Sequence, residues 1–140
     1  MVSQGRVFSA VVAGASLVLL SGCSLDVVLW GPDGAGVIDV TEELIAAAST
    51  GEQRMLVCEG SVTDFGTSQA WEGLSAGEPE QFNAETSVDR PSLDAVWRIN
   101  LEGSTSGRTS SEVRPTDVFY REDDDGLCVA DIIWQTVDPG

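Results

Sequence analysis

The sequence predicts an α+β fold in which N-terminal helices pack on a curved antiparallel sheet of about four strands. Apolar residues recur at helical spacing in the first half of the chain, whereas apolar and polar residues alternate in the second half. A third observation is a pair of cysteines, Cys58 and Cys128, with one member in each half. The 140-residue length allows one such domain, which we expect to occupy residues 37–140.

Residues 1–22 are predicted to be an export signal. Arg6 precedes a fourteen-residue apolar run, residues 7–20, and small residues follow it. A helix needs ~20 apolar residues to cross a hydrocarbon core of ~30 Å, so this run is too short for a permanent span. We therefore expect the segment to direct export and then to be removed.

The segment Leu20-Ser21-Gly22-Cys23 resembles the lipobox of bacterial lipoproteins. In that family the cysteine thiol receives a diacylglycerol thioether, and a peptidase then cuts on its N-terminal side. The resemblance implies cleavage between Gly22 and Cys23, and membrane lipid bound through Cys23 acylation at the extracytoplasmic face of the cell membrane. The alternative is an ordinary signal peptide with a chance cysteine, but no A-x-A-like cleavage site stands near Leu20.

Lipidation of Cys23 would leave an even pair of thiols, and we predict a disulfide between Cys58 and Cys128. An exported domain occupies an oxidising compartment, where disulfides persist. Closing a loop of seventy residues stabilises a fold by about 4 kcal/mol in the chain-entropy model. The alternatives are two buried free thiols or a zinc site, for which two cysteines without histidine supply half of the usual ligands.

Residues 24–36 contain glycine and proline and show no periodic pattern, which predicts an irregular chain. We therefore expect residues 23–36 to form a lipidated tether with a reach of at most about 45 Å. Trp30 in this tether is a hypothetical membrane-interface contact. The first helix is expected to begin near Asp39, with Glu42 completing a capping box, and to end at Gly51.

Two short elements are expected next. Residues 54–58 are expected to form a helical or extended stretch. Thr67 or Ser68 caps a brief helix that bears Trp71 and is ended by Gly77 and Pro79. The tryptophans on apolar faces, Trp71 among them, are expected to pack in the core; the others are Trp97 and Trp134.

The pattern of the second half of the chain predicts strands. Residues 95–102 alternate most clearly, and residues 116–122 and 127–137 form a hairpin around Asp125-Gly126, a pair that favours a primed turn with positive φ. Because side chains alternate across a strand, a Cys58–Cys128 bond would turn one set of side chains toward the helices and leave Asp131 outside. The inward set is Cys128, Ala130, Ile132 and Trp134.

Composition excludes several classes of function. The chain has 23 acidic and 7 basic residues, and removal of Arg6 with the signal changes the net charge from −16 to −17. Such a domain repels nucleic acids and anionic headgroups, so membrane contact is expected through lipid. The acidic residues would favour cationic partners, or they form a solvated surface that keeps the domain soluble.

Absent residue types limit catalysis and metal binding. No histidine and no lysine occur, which excludes imidazole bases, His-ligated metals and Schiff bases. Asp123, Asp125 and Gly126 resemble the start of a calcium loop, but Arg121 and Ile132 stand where its first and last ligands belong. We predict no catalytic residues, no metal site and no cofactor.

The stretch 47–52 leading into Leu56-Val57-Cys58, with a terminal strand that carries Cys128, is similar to the cone-shaped nuclear-transport-factor-2-like domains of some exported actinobacterial proteins. The resemblance spans roughly residues 38–137. It implies either a dehydratase or isomerase cone with catalytic Asp, His or Tyr, or a member that only binds or assembles. Cystatin-like and small sandwich folds are the alternatives.

Two functions follow from these expectations. The first is a membrane-anchored, non-catalytic binding or assembly module whose protein or small-molecule partner is unknown. The second is a small exported hydrolase or isomerase that uses carboxylates, with Glu42-Glu43, Glu78/Glu80 and Asp123-Asp124-Asp125 as candidate groups. The absence of other reactive side chains favours the first.

Overall fold

The computed structural model describes residues 25–103 and 110–138 and confirms the α+β fold. One long helix, α1 (Leu25–Thr50), packs on a four-stranded antiparallel sheet whose spatial order is β1-β2-β3-β4. The strands are β1 (Leu74–Gln81), β2 (Trp97–Gly103), β3 (Glu112–Asp123) and β4 (Gly126–Val137). Short 3₁₀ turns cover Gln53–Leu56, Ser68–Trp71 and Ala84–Thr86. Within the described residues, no helix has the length and apolar character that crossing a bilayer requires.

The helix begins at Leu25, so the prediction of an irregular chain up to residue 36 and of a helix start near Asp39 is wrong. Gly31 has φ 73° and ψ 174°, which breaks the helix, and the next residue is Pro32. Proline suits the first position of a helix, where its missing N–H has no intrahelical partner. The residues taken as turn signals therefore mark an internal break. Twelve helical residues rise only about 18 Å, far less than the expected reach of the tether.

The core lies between one face of α1 and one face of the sheet. Trp71, Tyr120 and Leu44 are completely buried at its centre. The remaining core residues are Val37, Ile45, Ala48, Ile99, Val118, Val129 and Ile132. Burial of Trp71 confirms its predicted packing role, whereas Trp97 and Trp134 are only partly buried against this cluster.

The strand β1 occupies residues that the sequence assigned to the end of a helix. Gly77 and Pro79 were expected to stop that helix, but both lie within the strand, where the register with β2 shifts between Ala76 and Pro79. Proline is tolerated there because β1 is an edge strand. A Cβ at Gly77 would lie 2.5 Å from the Asn100 side-chain amide, so a larger residue here would have to displace that amide.

The predicted hairpin is present, but its turn differs from the expected one. Asp123 pairs with Gly126, so the two connecting residues are Asp124 and Asp125 rather than Asp125-Gly126. Neither aspartate has positive φ, whereas Gly126 has φ 111°. A primed turn needs positive φ in the connecting residues. The glycine therefore begins β4 instead of forming the turn.

The expected inward set on β4 is partly wrong, because a bulge interrupts the alternation. Phe119 pairs with Asp131 and Tyr120 with Val129, which leaves Ala130 as an extra residue without a partner on β3. As a result, Val129 and Ile132 both enter the core, and Ala130 does not. Asp131 lies outside this core, as expected, and forms a salt bridge with Arg90 at 2.9 Å.

Candidate binding groove

The Trp134 groove, of about 450 Å³, opens where the loop before β1 meets the ends of β3 and β4. We define it by its lining residues Asp64, Gly66, Thr67, Ala70, Val113 and Trp134. Val113 exposes 60% of its surface into solvent. Ala70, Val113 and Trp134 make one part of the lining apolar, which is the usual character of a site that takes a small molecule or an apolar side chain.

Two tryptophans give this groove a fixed shape. The indole N–H of Trp71 donates to the carbonyl of Phe65 at 2.8 Å, and the indole N–H of Trp134 donates to the carbonyl of Asp64 at 3.0 Å. The rings of Trp71 and Trp134 meet edge to face with centroids 6.1 Å apart. Two adjacent carbonyls therefore hold both indoles, and the Trp134 ring cannot rotate without losing its hydrogen bond.

Gly66 makes room for the Trp134 ring. Its φ is +59°, and a Cβ built there would lie 2.6 Å from Cη2 of Trp134. A side chain at this position would meet both an unfavourable backbone conformation and a rigid aromatic ring. Sequence reasoning placed Trp134 in the core and missed the groove. No local pattern links residues 64–66 to a strand seventy positions later.

The predicted cysteine pair lies at disulfide-bonding distance. Cys58 and Cys128 are joined with their Cα atoms 4.8 Å apart. The bond attaches the loop to the outer edge of β4, where the Cys58 amide donates to the Val129 carbonyl at 3.0 Å. The hydroxyls of Ser61 and Thr63 donate to the next carbonyl, that of residue 130. This loop covers part of an edge that would otherwise offer unpaired backbone groups.

An acidic groove of about 490 Å³ adjoins the disulfide. Its carboxylates are Glu43, Glu59, Asp123 and Asp125, and its other lining residues include Leu56, Leu127 and Cys128. One Asp123 oxygen accepts the amide of Asp125 at 2.9 Å, so it serves the hairpin turn. Across residues 25–103 and 110–138, no three metal-ligating side chains come together.

Two other carboxylates considered from the sequence, those of Glu42 and Glu80, make contacts within the fold. Glu42 accepts the Ala76 amide at 2.7 Å and thereby joins α1 to β1, instead of capping a helix. Arg98 contacts Glu80 at 3.4 Å and Asp117 at 2.9 Å. Asp117 is the buried carboxylate of the described chain, and its neighbouring guanidinium compensates its charge.

The predicted anchor residues, Gly22 and Cys23, lie outside the described residues. The first described residue is Leu25, which is 70% exposed. Trp30, the hypothetical membrane contact, is 37% exposed and belongs to α1.

No family model matches the chain, and comparisons with curated proteins and with solved structures return no significant match.

Proposed function

We propose that this protein is an exported lipoprotein, held at the extracytoplasmic face of the cell membrane by a thioether on Cys23, whose folded domain is a non-catalytic binding or assembly module. The Trp134 groove is its binding site. The partner presents an apolar or aromatic group, because the groove offers apolar side chains and an indole ring.

The anchoring part of the proposal rests on the sequence. The segment Leu20-Ser21-Gly22-Cys23 places a thiol directly after two small residues at the end of an apolar run. The remaining cysteines, Cys58 and Cys128, occupy one another, which leaves Cys23 free for acylation. A diacylglycerol group supplies two chains, and two chains give stable attachment where one gives only marginal binding.

The binding part rests on one observation: the space between helix and sheet, where an enzymatic cone would keep its pocket, is filled. Trp71, Tyr120 and Leu44 occupy it without measurable exposure to solvent. The Trp134 groove lies outside this filled space, beside the loop before β1, and part of its lining is apolar. Its one acidic lining residue, Asp64, accepts the Gly66 amide at 2.8 Å and so stabilises the loop. These contacts favour binding over carboxylate-dependent catalysis.

Intact-mass analysis and membrane fractionation test the anchor. The mature protein should carry the diacylglycerol mass on Cys23 and sediment with membranes, and a Cys23→Ser variant from which residues 1–22 have been removed should lose both properties. Cys58→Ser/Cys128→Ser is the matched control, because it removes the other two thiols and should keep the lipid. A mature protein without acyl mass, or a Cys23→Ser variant that sediments as strongly as the wild type, would refute lipid anchoring.

An NMR titration with indole tests the groove. Indole should shift the ring N–H signal of Trp134 and leave that of Trp97 in place. Val113→Asp should weaken this binding, because it puts a charge on the apolar wall, whereas Val62→Asp changes a valine that is fully exposed elsewhere. Equal binding by both variants, or no response of Trp134, would refute the assignment.

A further inference from the structure

We propose that one face of the first helical turns, formed by Leu25, Val28 and Leu29 and called here the N-terminal apolar face, inserts into the outer layer of the bilayer and fixes the orientation of the domain. This inference rests on the lipid anchor proposed above. It adds a second membrane contact, made by the protein itself, and it determines which surface of the domain points away from the membrane.

The three residues form a continuous face because of their spacing. Positions i, i+3 and i+4 lie on the same side of a helix. Their exposed fractions are 70% for Leu25, 71% for Val28 and 61% for Leu29, whereas the intervening Asp26 and Val27 are partly buried. The apolar side of this segment therefore points outward, and the opposite side is less exposed.

Exposed apolar side chains are concentrated here. Nine large hydrophobic residues of the described chain are exposed, and four of them fall among residues 25–30. Single exposed hydrophobics are ordinary on a soluble domain, but a contiguous group marks a surface that contacts something else. The fourth member, Trp30, has the amphipathic ring that is enriched at the membrane–water interface.

The break at Gly31 attaches this face to the domain. Past the break, Gly34 is buried, and a Cβ at Gly34 would lie 2.7 Å from Cβ of Trp30 and 3.5 Å from Cγ of Pro79. Trp30 thus packs directly on the helix backbone that continues into the core. A membrane contact through Leu25 and Val28 would therefore orient the whole domain and not only a flexible end.

The position of Cys23 in the sequence identifies the bilayer as the partner of the N-terminal apolar face. Cys23 stands two residues before Leu25. Two residues span at most about 7 Å, so a diacylglycerol group on Cys23 would hold the face at headgroup depth. Interfacial helices bury their apolar sides by about 5–10 Å at this level. The acyl chains bring the face to the membrane, and the face needs no further diffusion to enter it.

The negative charge of the domain favours an apolar membrane contact over an electrostatic one. The mature chain has a net charge of −17 once Arg6 is removed, and Asp26 and Asp33 lie close to the face. Anionic headgroups would therefore repel the domain. We expect insertion into phosphatidylcholine vesicles and weaker insertion as phosphatidylglycerol is added.

A single-cysteine label measures insertion directly. In the lipidated protein all three native cysteines are occupied, so Val28→Cys adds one free thiol for an environment-sensitive fluorophore. Val62→Cys is the control, because Val62 is fully exposed and belongs to the loop after the disulfide. In phosphatidylcholine vesicles the emission of the label at position 28 should shift to the blue, and the label at position 62 should report water.

The outcomes separate this inference from the proposed function. A protein that fails to sediment with vesicles refutes the anchor. A protein that sediments while the label at position 28 stays in water refutes insertion alone. A shift at position 28 that appears without vesicles and grows with protein concentration would mean that a second copy covers the face, which also overturns the proposal.

A second variant tests the face without introducing a label. Leu25→Ser/Val28→Ser/Leu29→Ser, made in an unlipidated Cys23→Ser chain produced without residues 1–22, should lower its weak partition into phosphatidylcholine vesicles by about tenfold or more, since three apolar side chains are lost. The control is Met55→Ser/Val62→Ser/Val88→Ser, which changes three residues that are at least 93% exposed elsewhere. Equal partition of the two variants would contradict insertion.

Discussion

The hydroxyl oxygens of Thr41 and Tyr120 lie 2.8 Å apart in the buried interface between α1 and the sheet. Thr41 has one hydroxyl proton, which it gives to the carbonyl of Val37 at 2.7 Å. The proton between the two hydroxyls must therefore come from Tyr120. This pair is the polar connection at the centre of an otherwise apolar core, and it sets the position of the helix on the sheet.

The assignment of the donor predicts an asymmetric double-mutant cycle. Thr41→Val leaves the buried Tyr120 hydroxyl without an acceptor and should lower the free energy of unfolding by about 1–3 kcal/mol. Tyr120→Phe removes the donor and leaves Thr41 bonded to Val37, so its cost should be smaller. The double variant should lose less than the sum of the two. Urea denaturation of the four proteins measures this coupling, and strict additivity would contradict it.

Burial also raises the pKa of Tyr120 above its ordinary value of 10.0. A hydrogen bond from Thr41 would partly offset this effect by stabilising the phenolate, at the cost of the Thr41 bond to Val37. Above pH 10 the unfolded chain loses a proton that the folded chain keeps. The stability contributed by neutral Tyr120 is therefore present below pH 10 and falls with rising pH by up to about 1.4 kcal/mol per unit.

The composition makes this pH dependence easy to observe. Tyr120 is the chain's one tyrosine, and no lysine titrates in the same range. Absorbance at 295 nm should show no tyrosinate in the folded protein just above pH 10, and the signal should appear together with loss of circular dichroism. In Tyr120→Phe the free energy of unfolding should be flat over this range. Tyrosinate formation at pH 10 in a fully folded protein would contradict burial of the phenol.

The disulfide closes a loop of 70 residues, and its removal should lower the free energy of unfolding by about 4 kcal/mol. Urea denaturation of Cys58→Ser/Cys128→Ser against the oxidised protein measures the loss. Reductant should shift the wild-type midpoint toward that of the variant and leave the variant unchanged. Identical midpoints for the oxidised protein and the variant would mean that the backbone contacts along β4 hold the loop without the covalent bond.

Arg98 compensates the buried Asp117 carboxylate through two of its nitrogens, at 2.9 and 3.0 Å. Arg98→Met should lower the free energy of unfolding by about 1–3 kcal/mol, because the buried Asp117 carboxylate loses its charged donor and keeps the Thr116 hydroxyl. It also loses the guanidinium that lies 5.8 Å from the Phe119 ring centroid. Arg54→Met is the matched control, since Arg54 is exposed. Equal thermal midpoints for both variants would contradict this role.

Sequence reasoning succeeded where the pattern itself reflects burial. Residues 97, 99 and 101 alternate with polar neighbours, and Ile99 is completely buried in β2. The cysteine pair could be predicted because export and an even thiol count leave few partners. These inferences need only local period and composition, which is why they did not require knowledge of the tertiary contacts.

The errors share a different physical cause. The pair Gly31-Pro32 is compatible with an irregular segment before a helix and with a break inside a helix. The burial of Gly34 beside Pro79 of β1 decides between these two structures. The Trp134 groove likewise depends on a loop that precedes its strand by seventy residues. Contacts between distant segments leave no local pattern. The lipid on Cys23 and the resemblance to nuclear-transport-factor-2-like cones stay predictions.

The shape of the Trp134 groove predicts a sharp difference between two glycines. Gly66 and Gly60 both have positive φ, +59° and +79°, but nothing lies within 4 Å of a Cβ at Gly60. Gly60→Ala should cost only the backbone strain, about 1–2 kcal/mol. Gly66→Ala should cost about 1–3 kcal/mol more, because the new methyl group meets the Trp134 ring. Urea denaturation gives both values. Since the Trp134 ring must move, Gly66→Ala should also shift the Trp134 indole N–H signal and abolish indole binding, while Gly60→Ala leaves both intact. Equal losses of stability with unchanged indole signals would show that the ring has space to spare and that Gly66 does not shape the groove.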